Sequence, residues 1–397
     1  MKQGSTKGLV LLTVILMDLL VGMEFDLFVP GFPQLQSQFS LTPFWVEALL
    51  SVNFAGYCVG LFLVGGLADR YGRRPIILIG LIAFTFGSML CLWAASYNFL
   101  FVGRFLQGIG VAAPALLSFL IIADSYSLKE QQLYMAILNG IMNAATAAAP
   151  VIGSYITLYF HWQGNFVTLL LIGLLVLTMT IAFIPSYKLP EQKETLSIKG
   201  YFPIFKSSPL MLIIVSFIFG SVPYWVFVGM SPLLYLEDLG VSLKHFGYYQ
   251  GSLALIFGFG SIFYGLIINR FDQKKMIYFS CLCFLTGLVL ISFVTFTDSR
   301  NPLFITLSLI PFIIGQIIPA TILFPICINY MPQAKGRVSA VIQTGRLVLS
   351  GIGLQVAGYY YTGSFQGIGM IIIVFILLSI ISLLYVLKNR ELMKFIP

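Results

Sequence analysis

The chain has 397 residues, of which 59% are hydrophobic and 9% charged, where ordinary soluble domains carry about 25% charged residues. A soluble core cannot bury that much apolar surface, so the composition excludes a soluble globular domain and points to an all-α polytopic membrane protein. The net charge of +8 is dispersed over many short loops. Such dispersal is a topology signal, and it excludes the continuous basic stripe that a nucleic-acid partner would need.

Apolar runs of about 20 residues predict twelve transmembrane helices. They lie near 8–29, 46–68, 75–95, 98–123, 132–158, 164–185, 209–235, 246–268, 275–295, 302–328, 337–360 and 366–388. An even number of spans puts both termini on one side. Of the 22 Lys and Arg residues, 18 fall at the termini or in the loops that follow even-numbered helices. Short basic loops are retained in the cytoplasm, so both termini are expected there. Lys2 and Lys7 precede the first apolar run, but no small-x-small cleavage pattern closes it, and it is read as helix 1 rather than as a signal peptide.

Helix 1 carries Asp18, Glu24 and Asp26 in an otherwise apolar run. A charge at the bilayer centre costs roughly 2.5–3.5 kcal/mol on insertion scales, so intramembrane acids are functional candidates. Counted inward from Pro30, Asp26 and Glu24 lie about 6 and 9 Å deep and Asp18 about 18 Å deep, near the midplane. Glu24 and Asp26 are about 160° apart around one ideal helix, which therefore cannot aim both at the same cavity. Either Gly22 loosens the helix or one of the two is interfacial, and an outer-rim place near headgroups is the plainer reading of Glu24. At the start of helix 2, Trp45 and Glu47 fit an aromatic belt, and Glu47 is given no role.

Between helices 2 and 3 the stretch Gly65 to Leu78 reads GGLADRYGRRPIIL. It packs Asp69, Arg70, Arg73 and Arg74 between apolar runs, and Gly65 and Gly72 permit a tight reversal. This loop, G-x-x-x-D-R-x-G-R-R from Gly65 to Arg74, resembles the signature loop between helices 2 and 3 of the major facilitator superfamily of secondary transporters. Helix 4 contains GRFLQGIG, with Arg104 and Gln107, similar to the superfamily's R-x-x-x-G pattern associated with proton coupling. Arg104 cannot lose its proton, so burial demands an anionic or carbonyl partner. Counted from Asn98 it lies about 9 Å below the outer surface, level with Glu24 and Asp26, and can pair with either.

An acid held by arginine stays charged, and an unpaired one in a desolvated site is the easier to protonate. Asp18 is therefore expected to be a principal proton or cation-substrate site, with Asp26 and Arg104 as a switchable pair. The alternative is that these charges merely lock helix 1 to helix 4.

The stretch DLFVPGFP, Asp26 to Pro33, resembles the end of helix 1 in the twelve-helix drug:proton antiporters, especially the bicyclomycin and chloramphenicol resistance branch. Helix 5 reads AAAPVIGSY, and Ala149, Pro150 and Gly153 match the antiporter-like motif of that helix, while Ser154 replaces the branch's final glycine. That match favours export. The polar segment 186–208 reads as a cytoplasmic linker between an N-terminal half, 1–185, and a C-terminal half, 209–397. Gly265, Asn269, Arg270, Lys274 and Lys275 stand 200 positions after Gly65, Asp69, Arg70, Arg74 and Pro75, a degraded repeat in which Asp272 replaces Gly72.

The second half offers Tyr224, Trp225, Gln316 and Arg346. In the fold that the resemblance implies, helices 1, 4, 7 and 10 line a central cavity, so its C-terminal wall is expected to be apolar and aromatic with isolated amides. Arg346, beside Gln343, either binds an anionic group of a substrate or hydrogen-bonds backbone.

The five cysteines all lie in helices, and His161 and His245 sit singly at outer helix ends, so no disulfide, metal or cofactor is expected. No G-x-x-x-x-G-K-[ST] loop occurs that would suit an ATP-driven pump, and no nucleophile-base pair suggests an enzyme. The expected protein is a proton-coupled exporter of a small amphiphilic compound, a monomer in a bacterial inner membrane whose partners are substrate, protons and lipid. An importer of a nutrient or metal-chelating metabolite, and a transport-dead membrane sensor, are the alternatives.

Overall fold

The computed structural model describes residues 2–125, 128–186, 198–267, 270–331, 334–389 and 392. The chain is all-α and forms two units, Met1–Leu196 and Ser197–Pro397. In the first, the long helices are α1 (Lys2–Glu24), α2 (Pro43–Tyr71), α3 (Arg73–Leu92), α4 (Tyr97–Ser125) and the stretch Leu128–Phe183, which breaks at His161 into α5 (128–160) and α6 (162–183). In the second they are α7 (Ser208–Pro232), α8 (Leu243–Ile267), α9 (Gln273–Phe296), α10 (Pro302–Tyr330), α11 (Lys335–Tyr359) and α12 (Phe365–Lys388).

By length and hydropathy 10 stretches qualify as spans among the described residues. One of them, Gly140–Phe183, covers both α5 and α6, and α8 is the remaining helix of spanning length. Among the described residues twelve spans result, six to a unit, the number that the sequence suggested.

Helix 1 ends earlier than its apolar run. The last α-type bond past its end runs from Leu27 N to Met23 O. Pro30 has no N–H to return to Asp26, so the chain makes a 3₁₀ turn at Val29–Gly31 and starts a short helix, Phe32–Phe39, with Pro33 in its first turn. Glu24 is therefore the final residue of α1, and Asp26 lies beyond it. The break at His161 has φ 56° and ψ −175°, a region that glycine alone occupies freely. It is held against the short helix by Trp162, whose backbone N–H donates to Gln34 Oε1 at 2.8 Å and whose indole donates to Gln38 Oε1 at 2.7 Å.

Glycines set the helix spacing in the first unit. Gly103 and Gly110, two turns apart, share the face of α4 that meets α3, and a Cβ on Gly110 would stand 2.5 Å from the Gly80 carbonyl oxygen. Gly108, on another face, lies against the Asn53 carbonyl of α2. Likewise α1 meets α5 at Gly22, where a Cβ would come within 2.6 Å of Met142 O, while Gly153 lies against the Leu27 carbonyl. Pro150 sits inside α5, and Ser154 returns its hydroxyl to Pro150 O at 2.7 Å.

The two copies of the repeated turn are built differently. Gly72 closes α2 at φ 90°, with its N–H on Ala68 O, and Arg74 donates to Ile181 O near the end of α6 at 2.6 Å. In the second unit Asp272, at φ −63°, caps α9 by accepting from the N–H groups of Lys274 and Lys275 at 2.9 and 3.2 Å. A capping carboxylate thus replaces a positive-φ glycine. The side chains of Asp69 and Arg70, and Gly65 beyond its helical backbone, lie outside the described residues, as do Asn269 and linker residues 187–197.

Candidate functional site

Arg104 anchors a polar cluster at the centre of the first unit. It is fully buried, and its Nη1 donates to Glu24 Oε1 at 2.8 Å and to Gln107 Oε1 at 2.6 Å. Its Cζ stands 3.9 Å from the centroid of the Phe28 ring, a cation–π contact made by the turn that follows α1. Gln107 is one helical turn along α4 from Arg104, and its amide N–H donates to Ser88 of α3 at 2.8 Å. Asn53 of α2 bridges the pair from the other side, donating to Glu24 Oε1 at 2.8 Å and to Arg104 O at 2.9 Å. One connected network therefore ties α1, α2, α3 and α4 together.

The choice between the two acids level with Arg104 falls on Glu24. Its place is the protein interior at zero exposure, which corrects the outer-rim reading, and Asp26 is not the arginine's partner in this state. Asp26 is 1% exposed and its Oδ1 has no hydrogen-bond partner. Glu24 Oε2, Arg104 Nε and Nη2, and Asn53 Oδ1 are likewise buried without partners, so the cluster retains both donors and acceptors.

Asp18 stands apart from this cluster, deeper along α1. Ser118 of α4 donates to its Oδ1 at 2.9 Å, and its Oδ2 is buried without a partner. No cation reaches it among the described residues. Glu47 departs from the belt reading altogether: it is fully buried and neither carboxylate oxygen has a partner, whereas Trp45, two residues earlier, is 48% exposed.

In the second unit, Tyr224 and Trp225 are half-buried with ring centroids 5.6 Å apart, edge to face. Gln316 donates to the Gly220 carbonyl at 2.8 Å and thereby ties α10 to α7. Arg346 is half-buried on α11 and donates to Gln343 Oε1 at 3.1 Å. Gln250 of α8 is a buried amide without partners that the sequence did not single out.

Asn53, Ser88, Ser118 and Phe28 were also missed. Asn53 alone had a visible signal, as a lone amide within an apolar span.

The sequence profile of the Major Facilitator Superfamily matches residues 14–354. The chain belongs to that superfamily. It is accordingly a multi-pass membrane protein and not an enzyme, and the matched part spans 65% of the length of the first curated relatives.

Curated relatives that it resembles bear drug-resistance names. It is 28% identical over 256 residues to "Multidrug resistance protein MdtL" of Shewanella oneidensis, an alignment covering 64% of this chain and 65% of that protein. It is 26% identical to "Bicyclomycin resistance protein homolog" of Haemophilus influenzae, with 73% and 74% covered. It is 24% identical to "Chloramphenicol resistance protein CraA" of Acinetobacter baumannii, with 88% and 86% covered.

Among solved structures it resembles a bacterial homolog of the human lysosomal transporter Spinster, with a TM-score of 0.77 at 16% identity over 99% of this chain and 98% of that one. A D-xylose-proton symporter gives a TM-score of 0.72 at 15% identity over 98% of each chain. At those identities the structural likeness speaks for the fold.

Proposed function

We propose that this protein is a proton-coupled secondary active transporter that exports a small amphiphilic organic compound by alternating access. The observation that carries the reading is the set of three buried carboxylates in and just after α1, one bound to Arg104 and two with unpartnered oxygens. An intramembrane acid that no cation holds is a group that a proton or a cationic substrate can occupy in turn. Asp18 is the principal such site. Arg104 exchanges Glu24 for Asp26 as access alternates, Gln107 steadies the guanidinium, and the loop of Gly65, Asp69, Arg70, Gly72, Arg73 and Arg74 is the conformational switch.

Export, and membership of the bicyclomycin and chloramphenicol branch of the drug:proton antiporters, are supported by Ala149, Pro150 and Gly153 in α5 and by the resistance named in its relatives. Tyr224, Trp225, Gln316 and Arg346 supply the aromatic and amide groups that an amphiphile would meet from the second half. The halves are 1–185 and 209–397, the linker and both termini are cytoplasmic, and the protein works as a monomer in a bacterial inner membrane.

The test is proton movement in proteoliposomes, with tetraphenylphosphonium, chloramphenicol and an anionic amphiphile as probes. Probe-induced proton release in the wild type that disappears in Asp18→Asn is the expected result. Probe uptake without a proton signal, persisting in Asp18→Asn, would overturn it.

A further inference from the structure

Glu47 is the buried acid that the transport reading leaves unused. It lies in the second turn of α2, with zero exposure and no hydrogen-bond partner for either carboxylate oxygen. Two helical turns separate it from Phe54, so the two share a face of α2. That face meets the end of α1, because the Phe54 ring stands 5.4 Å edge-on from the ring of Phe25, the residue between Glu24 and Asp26. Asn53, which holds Glu24, is about 9 Å deeper along α2. The Phe25–Phe54 contact thus sets the face of α2 that carries Glu47 against the segment of α1 that carries Glu24 and Asp26.

Among the described residues no cation pairs with Glu47. On α4, Arg104 is engaged by Glu24 and Gln107, and the Tyr97 hydroxyl donates to the Trp45 carbonyl at 2.9 Å. On α3, the Cys91 thiol donates to Leu100 O at 3.7 Å. On α2 no other titratable residue lies within about two turns of Glu47, and the short helix Phe32–Phe39 has none. As an anion Glu47 is an uncompensated intramembrane charge, a cost that protonation removes.

We propose that Glu47 is a further proton-binding site of this transporter, which loads from the side of the α1–α2 loop and passes its proton to Asp26. The transfer balances: the Glu47 O–H bond breaks, an O–H bond forms on Asp26, and water on the loop side returns a proton to Glu47. The role as a relay rests on the proton-coupled reading above, but the binding of a proton at Glu47 does not.

Infrared spectroscopy of the protein in lipid nanodiscs at neutral pH, wild type against Glu47→Gln, tests the site directly. Loss of a protonated-carboxyl carbonyl band in the variant is expected, and an unchanged band overturns the proposal. In proteoliposomes, proton release on adding tetraphenylphosphonium is expected to slow at least tenfold in Glu47→Gln and to stay at the wild-type rate in Lys275→Gln, an exposed control. A wild-type rate in Glu47→Gln overturns the relay. No proton release from the wild type with any probe would defeat the transport reading, and the infrared comparison would still decide Glu47. Should Glu47→Gln fail to fold, Glu47→Asp keeps the acid: a shifted carbonyl band supports the proposal and an unshifted one overturns it.

Discussion

The Glu24–Arg104 pair makes a quantitative demand on stability. Both side chains have zero exposure at a separation of 2.8 Å, so removal of either leaves an uncompensated charge in the first unit. Breaking a buried pair in this way costs about 3–5 kcal/mol. Arg104→Met keeps an apolar stem and a polarisable sulfur against Phe28 but abandons Glu24 to the single donor of Asn53.

Glu24→Gln together with Arg104→Met removes both charges and preserves an amide oxygen for Asn53, so the double variant is expected to recover at least half of the loss. The unit spans Met1–Leu196, and a domain of that size loses roughly 2–4 °C in Tm per kcal/mol. The single variant should therefore melt roughly 6–20 °C below the wild type.

A thiol-reactive fluorophore reads the transition, because Cys58 and Cys91 are buried in this unit and Cys91 Sγ lies 3.9 Å from Gln107 Oε1. Replacing the half-buried Cys281 and Cys283 by Ser removes the background. A single variant within about 2 °C of wild type, or a double variant less stable than either single, would refute the reasoning.

Two further contrasts follow from the backbone. Gly153→Ala should destabilise by about 1–3 kcal/mol, because its methyl group runs into the Leu27 carbonyl. Gly140→Ala, with nothing within 4 Å, should stabilise α5 by about 0.5–1 kcal/mol, and the same thiol assay compares the two. Asp272→Ala should cost about 0.5–2 kcal/mol through loss of the α9 cap, read at Cys327 in the second unit. Gly72→Ala should cost upwards of about 0.4–1 kcal/mol through strain at φ 90°, whereas the reciprocal Asp272→Gly should cost little beyond the cap.

The apolar runs made the twelve helices legible, and axial rise alone put Arg104 level with Glu24 and Asp26. The choice between those acids was not legible. It depends on where α1 stops, and Pro30 ends the α ladder there, which releases Asp26 from the geometry of an ideal helix. Glu47 was misread because Trp45 beside it does sit at the surface, and a helix shows opposite environments to residues two apart.

Ser118 had no sequence signal at all. Hydroxyls in apolar helices commonly return to their own backbone, as Thr85 does to Leu81 O and Thr180 to Val176 O, and nothing in composition separates those from a hydroxyl that meets Asp18. Asn53 and Gln107 could be seen as polar residues, but their partners belong to tertiary structure.

The second unit bears on whether the charges of the first serve only to lock helices. Among its described residues no Asp, Glu, Lys or Arg is fully buried, yet α7 to α10 pack with apolar cores and neutral links. Gln316 reaches Gly220 O, Ser280 reaches Gly315 O at 2.6 Å, and Tyr235 meets Thr306 at 2.8 Å. The repeat at the turns marks the two units as versions of one plan, with Gly72 and Asp272 as different solutions to the same reversal.

A plan that packs without buried charge in one copy has no need of it in the other, and a buried ion pair is a poor device for stability alone. The first unit nonetheless buries Asp18, Glu24, Asp26, Glu47 and Arg104 and leaves several of their polar atoms unpartnered. A lock would have satisfied those atoms, whereas a site through which protons pass has reason to leave them open.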